Sequence, residues 1–124
     1  MIYLDSTILK LEAVLAGAVA ANQPEAHVHF RDIPSQPKPT FEEYRGATTR
    51  TAMNSNTDVT ICAAPGQVGT TRNIDTISIY NKDTAAVVCT VKTDDGTTEF
   101  IIVKQTLLTT QSLVYDRDGG WQVL

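Results

Sequence analysis

The sequence predicts an all-β chain, an antiparallel β-sandwich or jelly-roll-like barrel with an N-terminal arm and one long Pro-rich loop. Three observations carry this. Thr, Val and Ile are abundant, and β-branched side chains fit a pleated surface. From Asp58 to Leu124, short runs of alternating apolar and polar residues recur at near-regular spacing, each bounded by Gly, Pro, Asn or Asp. No connection in that half is long enough to carry a crossover helix, so neighbouring strands should pair antiparallel. The 124 residues fit one domain.

Residues 1–21 read as an arm or a strand. Leu9, Leu11, Ala13 and Leu15 fall on a period of two with Lys10 and Glu12 between them, which argues a strand near Ser6–Leu15. Ile8, Leu11, Glu12 and Leu15 also suit a helix, although Gly17 weakens one. Asn22-Gln23-Pro24 marks a turn. Glu25–Ile33 alternates strictly: Val28 and Phe30 face one way, His27, His29 and Arg31 the other. Residues 34–57 carry closely spaced prolines, then Ser, Asn, Thr and Gly, and read as an extended loop.

Residues 58–124 read as a β-meander. Asp58–Ala64 should be a strand with Val59, Ile61 and Ala63 on one face. Arg72–Tyr80 should be the next, with Asp75, Ile77 and Ile79 together. Ala85–Thr93 places Val87, Cys89 and Val91 on one face. Asp94-Asp95-Gly96 is the strongest hairpin signal, because Asp-Gly accepts the positive φ of a tight turn. Thr97–Lys104 should pair back across it, and Gln105–Thr110 should connect to Ser112–Asp116. Arg117–Gly120 forms another turn, and Trp121–Leu124 closes a paired strand in which the indole buries its area.

Composition narrows the function classes. With 42% hydrophobic and 19% charged residues the chain is ordinary for a globular protein, slightly poor in charge. A net charge of −4 lacks the basic footprint that a phosphate backbone requires, so no nucleic-acid partner is expected. The apolar stretch Ile8–Ala21 contains Lys10 and Glu12 and follows Asp5, which argues against a secretory signal and a membrane span. Cys62 and Cys89 make no metal motif and read as small buried hydrophobes, with a bridge between them left open.

Candidate chemistry is sparse. His27 and His29 share a strand face with Glu25, a spacing that brings two imidazoles to one metal, but no further ligand is evident. Asp94-Asp95 and Asp116/Asp118 would need their loops to meet to hold calcium, and none has an EF-hand pattern. Glu42-Glu43 is another loop carboxylate pair. Gly66–Thr71 lacks the Gly-Lys-Ser/Thr of a phosphate cradle. The expectation is therefore no enzyme, no cofactor and no metal, with protein association as the remaining class. A carbohydrate-binding module is a further alternative, for which exposed aromatics are few.

Three phrases carry a family resemblance. The first is Ser6-Thr7, Leu9, Leu11 to Val19, then Asn22-Gln23-Pro24 and Phe30-Arg31-Asp32. The second is Arg72, Ile74, Ile77, Ile79-Tyr80-Asn81 and Asp83-Thr84-Ala85. The third is Thr106-Leu107, Leu113, Tyr115, Gly120-Trp121 and Val123-Leu124. Together they resemble small virion proteins of tailed bacteriophages, over most of the chain except residues 34–57. The resemblance implies a non-enzymatic structural part on the virion capsid surface. It would be a decoration or cement protein whose partner is the major capsid protein, self-associated as a homotrimer or other cyclic oligomer; a neck or tail protein is the alternative. The expected contacts lie in the arm, at Ile2, Tyr3 and Leu4, and in the loop, at Pro37, Pro39, Phe41, Tyr44 and Arg45.

Overall fold

The computed structural model describes residues 1–34 and 46–124. Their strands are β1 (Ile2–Leu4), β2 (Lys10–Leu15), β3 (Glu25–Pro34), β4 (Gly46–Ala52), β5 (Val59–Cys62), β6 (Thr70–Tyr80), β7 (Val87–Asp94), β8 (Glu99–Leu107), β9 (Ser112–Asp116) and β10 (Gly120–Val123). All pairings are antiparallel and fall into two sheets. Sheet A runs β10-β9-β6-β3-β4, with β1 also on β6; sheet B runs β5-β2-β7-β8. The all-β sandwich expectation holds.

The alternation read in the sequence explains which face each strand buries. Ala26, Val28 and Phe30 of β3, Ile77 and Ile79 of β6, and Leu113 and Tyr115 of β9 turn inward from sheet A. Leu11, Ala13 and Leu15 of β2 and Val87, Cys89 and Val91 of β7 turn inward from sheet B. Burying each large aliphatic side chain contributes roughly 1.5–3 kcal/mol, so these inward faces are the main driving term of the fold. Both cysteines are buried thiols. They sit opposite Leu11 and Leu15, near opposite ends of β2 and on its two different neighbours, and Cys62 and Cys89 do not bridge.

Of the arm and strand readings of residues 1–21, the strand holds at residues 10–15, where β2 lies inside sheet B, flanked by β5 and β7. Four expectations need correction. Residues 46–52 are not loop: β4 pairs with β3 from Glu25↔Ala52 to Arg31↔Gly46, because Thr49 and its neighbours have the β-branched character an edge strand accepts. Residues 58–124 are not a meander. Only β7–β8 and β9–β10 are hairpins there, and the other connections cross between sheets. Finally, Asp75 does not share a face with Ile77 and Ile79. A bulge inserts Asp75 opposite the His29/Phe30 step, so Ile74, Ile77 and Ile79 all point inward while Asp75 turns out. A second bulge, opposite the Leu11/Glu12 step, buries Ile61 and Cys62 together and leaves Ala63 exposed.

The long strand β6 organises sheet A. Its Arg72–Ile74 segment pairs with β1 and its Thr76–Tyr80 segment with β9 along the same edge. The Asp75 bulge marks the handover. Across the other edge Arg72 faces Asp32 in register; its guanidinium donates to both carboxylate oxygens at 2.7 and 2.9 Å and lies 4.0 Å over the Phe30 ring.

Candidate interaction surface

The residues expected to make contacts separate into three groups. Ile2 and Leu4 are part of the core, at 8% and 0% exposure, because β1 is sealed against β6. Their assignment as a contact arm is corrected: the apolar side chains are consumed inside the protein. Tyr3, between them on the opposite face, is exposed. Pro37, Pro39, Phe41, Tyr44 and Arg45 lie outside the described residues, as do Glu42 and Glu43.

A surface not anticipated from the sequence lies on β8. Among the described residues this strand pairs only with β7 and forms an edge of sheet B. It carries the run Phe100-Ile101-Ile102-Val103. Phe100 and Ile101 are 65% and 67% exposed, and a bulge between Val103 and Ile101 throws Ile102 out of register. An apolar edge strand offers both unpaired backbone groups and apolar area to another chain. Leu108, just beyond β8, is also exposed. The signal was present in the four consecutive apolar residues, which exceed what a half-buried strand needs.

The outer face of sheet A is polar. Asp75 accepts both Nε and Nη2 of Arg31, at 2.8 and 3.0 Å, with Arg117 Nη1 at 3.3 Å and His29 Nδ1 at 3.3 Å. The Arg31 guanidinium holds the Asp75 carboxyl below its usual range. Glu25 is paired with Lys82 at 2.6 Å. His27 borders an open depression of about 360 Å³ with Glu25, Arg50, Thr51 and Ala52. His29 therefore sits beside Asp75, whereas His27 lines that depression. Asp94, Asp95 and Asp116 accept backbone N–H groups of their own turns, at Gly96, at Thr97 and Thr98, and at Asp118 and Gly119. Gly96 and Gly120 supply the positive φ of these two hairpins, +87° and +73°.

The outer face of sheet B holds a charged network. Lys10 Nζ lies 2.7 Å from Glu12 and 3.5 Å from Asp94. Lys92 Nζ lies 2.8 Å from Asp58 and 2.9 Å from Glu99. Burial opposes the Lys92 charge, but the bonds to Asp58 and Glu99 hold its ammonium above the ordinary lysine value.

Two residues in the second family-like phrase prove architectural. Asn81, fully buried, donates through Nδ2 to the carbonyls of Ala85 and Leu107 at 3.0 Å each, and its Oδ1 accepts the N–H of Asp83 at 3.0 Å. Its backbone bonds Gln111 and Thr110, the latter held at φ 68°. Asp83 accepts the N–H groups of Ala20, Ala21, Asn22 and Thr84 at 2.8–3.0 Å, fastening the β2–β3 connection. The N–H groups of Asn22 and Ala20 foremost pull its pKa from 3.8 to about 2. A carboxyl whose pKa falls on folding stabilises the fold above its unfolded pKa. That stability disappears as pH drops through the folded value. Wild-type protein should therefore lose stability between about pH 4 and pH 2, and its stability difference from Asp83→Asn, measured by urea unfolding, should shrink across that window. A constant difference down to pH 2 would sink this account.

Comparison of the chain with protein-family models, with curated proteins and with solved structures found no match.

Proposed function

We propose that this chain is a non-enzymatic structural protein of a bacteriophage particle, a decoration or cement protein that sits on the capsid surface and bridges subunits of the major capsid protein. The observation that carries the reading is the β8 edge, where Phe100 and Ile101 stand exposed beside a strand border that is unpaired among the described residues. A partner strand laid along β8 would bury both side chains and satisfy the backbone in one step. The resemblance to small virion proteins supplies the partner class. A protein that binds the matured shell alone stabilises that state by mass action. Closed cyclic self-association, a trimer at a threefold position, suits such a bridge.

The test is to compare particles with and without the protein for heat resistance and to count copies by gel densitometry. The proposal expects copies in the hundreds, as shell symmetry demands, against about a dozen for a neck or tail part. Ile101→Lys should leave the isolated protein folded and abolish particle binding. Equal heat resistance with and without the protein, or a copy number near the lower value, would overturn the decoration reading.

A further inference from the structure

Independently of the β8 edge, the network on sheet B has a property that ion pairing leaves unexplained. Glu12 is on β2, Asp58 immediately precedes β5, and Glu99 opens β8. The strand order β5-β2-β7-β8 therefore gathers three carboxylates from across the whole sheet. One oxygen from each lies within 4.8 Å of the others. Ligands on opposite sides of one calcium ion, each bound at about 2.3–2.6 Å, are separated by about that distance. The Glu12 side chain is only 5% exposed, and Oε1 is held by Lys10. Its Oε2 is sealed from solvent with no hydrogen-bond partner among the described residues. A buried carboxylate oxygen without a donor is unfavourable, and a bound ion is one of the few partners that satisfy it.

We propose that Glu12, Asp58 and Glu99 form a site for a hard divalent cation of the calcium class, at which the Lys92 ammonium is the competing cation. All three ligands are carboxylates, a donor set suited to calcium or magnesium and poor for zinc or copper. Asp58 and Glu99 are 41% and 48% exposed at the side chain, which leaves an entry path and room for water ligands. Lys92 now bridges those two residues, directly opposite Glu12 in the β2–β7 register. Four carboxylates, counting Asp94, surround two ammonium groups, so the patch keeps an excess of negative charge for an incoming ion. With three protein ligands and a resident lysine, binding belongs to the weak class, about 10⁻⁴–10⁻³ M. An ion there would tie both edges of sheet B to its interior.

The experiment is calorimetric titration and thermal unfolding of the full chain with calcium chloride and magnesium chloride, against sodium chloride at matched ionic strength. The wild type should give a calcium-dependent heat and a rise in Tm of several degrees at about 5 mM calcium, absent in the sodium control. Lys92→Met should bind roughly tenfold tighter or more, because it removes the nearest positive charge. Glu99→Gln, at a half-exposed position that tolerates change, should lose the response while remaining folded. If neither the wild type nor Lys92→Met responds beyond the sodium control, the cluster is an ion-pair network alone and the proposal is overturned. An unaltered response in Glu99→Gln overturns it equally, since the ion would then bind elsewhere.

Discussion

Replacing Asn81 with alanine should destabilise the protein by about 3–4 kcal/mol, one of the largest effects expected of a single polar substitution in this chain. Three backbone partners lose their bond at once: the buried carbonyl of Leu107 and N–H of Asp83, and the half-buried carbonyl of Ala85. Each buried group left unsatisfied costs about 1–3 kcal/mol, partly offset by relaxation and by water that reaches the site. The partners also fix the orientation of the amide. Two acceptors face Nδ2 and one donor faces Oδ1, so the opposite assignment would satisfy none of them. Asn81→Asp sharpens the test. It keeps the acceptor for Asp83 but turns an oxygen toward two carbonyls, so at neutral pH it should be at least as damaging as alanine. Urea unfolding should show a lower midpoint with an unchanged slope. A change below about 0.5 kcal/mol for Asn81→Ala would mean that the hub is not what joins the ends of β6, β8 and β9.

The second large effect concerns β1. Leu4→Ala should cost about 2–5 kcal/mol, the range for removing a large aliphatic side chain from a closed core. Leu4 has no exposed surface, and its strand is held in register by Ile2↔Ile74 and Leu4↔Arg72. A contact arm would behave differently: its truncation would leave the isolated protein as stable as before and weaken only association. Tyr3→Ala is the internal control. At 46% exposure its side chain is half open, and the substitution should change stability by less than about 1 kcal/mol. Equal, small effects for both variants would return β1 to the role of an arm.

These two cases show what the sequence could and could not convey. Period-two alternation placed β3, β7 and the β7–β8 and β9–β10 hairpins because each is a local pattern, set by the pleat and by turn chemistry. The same pattern in residues 1–15 could not say whether the apolar face would meet this chain's own core or another protein, since both bury it equally. β4 escaped notice because an edge strand needs little hydrophobicity. Ile74 and Ile77 lie three apart, and only the Asp75 bulge, which depends on the pairing with β3, reconciles them with one face. Glu12, Asp58 and Glu99 were each readable as ordinary polar residues. They become a cluster only through the strand order of sheet B, which no local signal encodes.

The order of strands in sheet A also bears on how the chain reaches its native state. β6 is flanked by β3 on one side and, on the other, by β1 from the start of the chain and β9 from near its end. Sheet B likewise sets β2 beside β7. Few contacts are local, so loop-closure entropy is lost before most pairings can reward it, and folding belongs to the slower, millisecond-to-second class of β proteins. No contiguous half of the chain contains a complete layer. A partly formed chain therefore has no complete layer to rest in, and Ile102 and Val103 of β8 stay unsheltered until β7 has found β2. Pairing is thereby tied to one cooperative event, in which β9 and β10 complete a sheet that β1 and β3 also join.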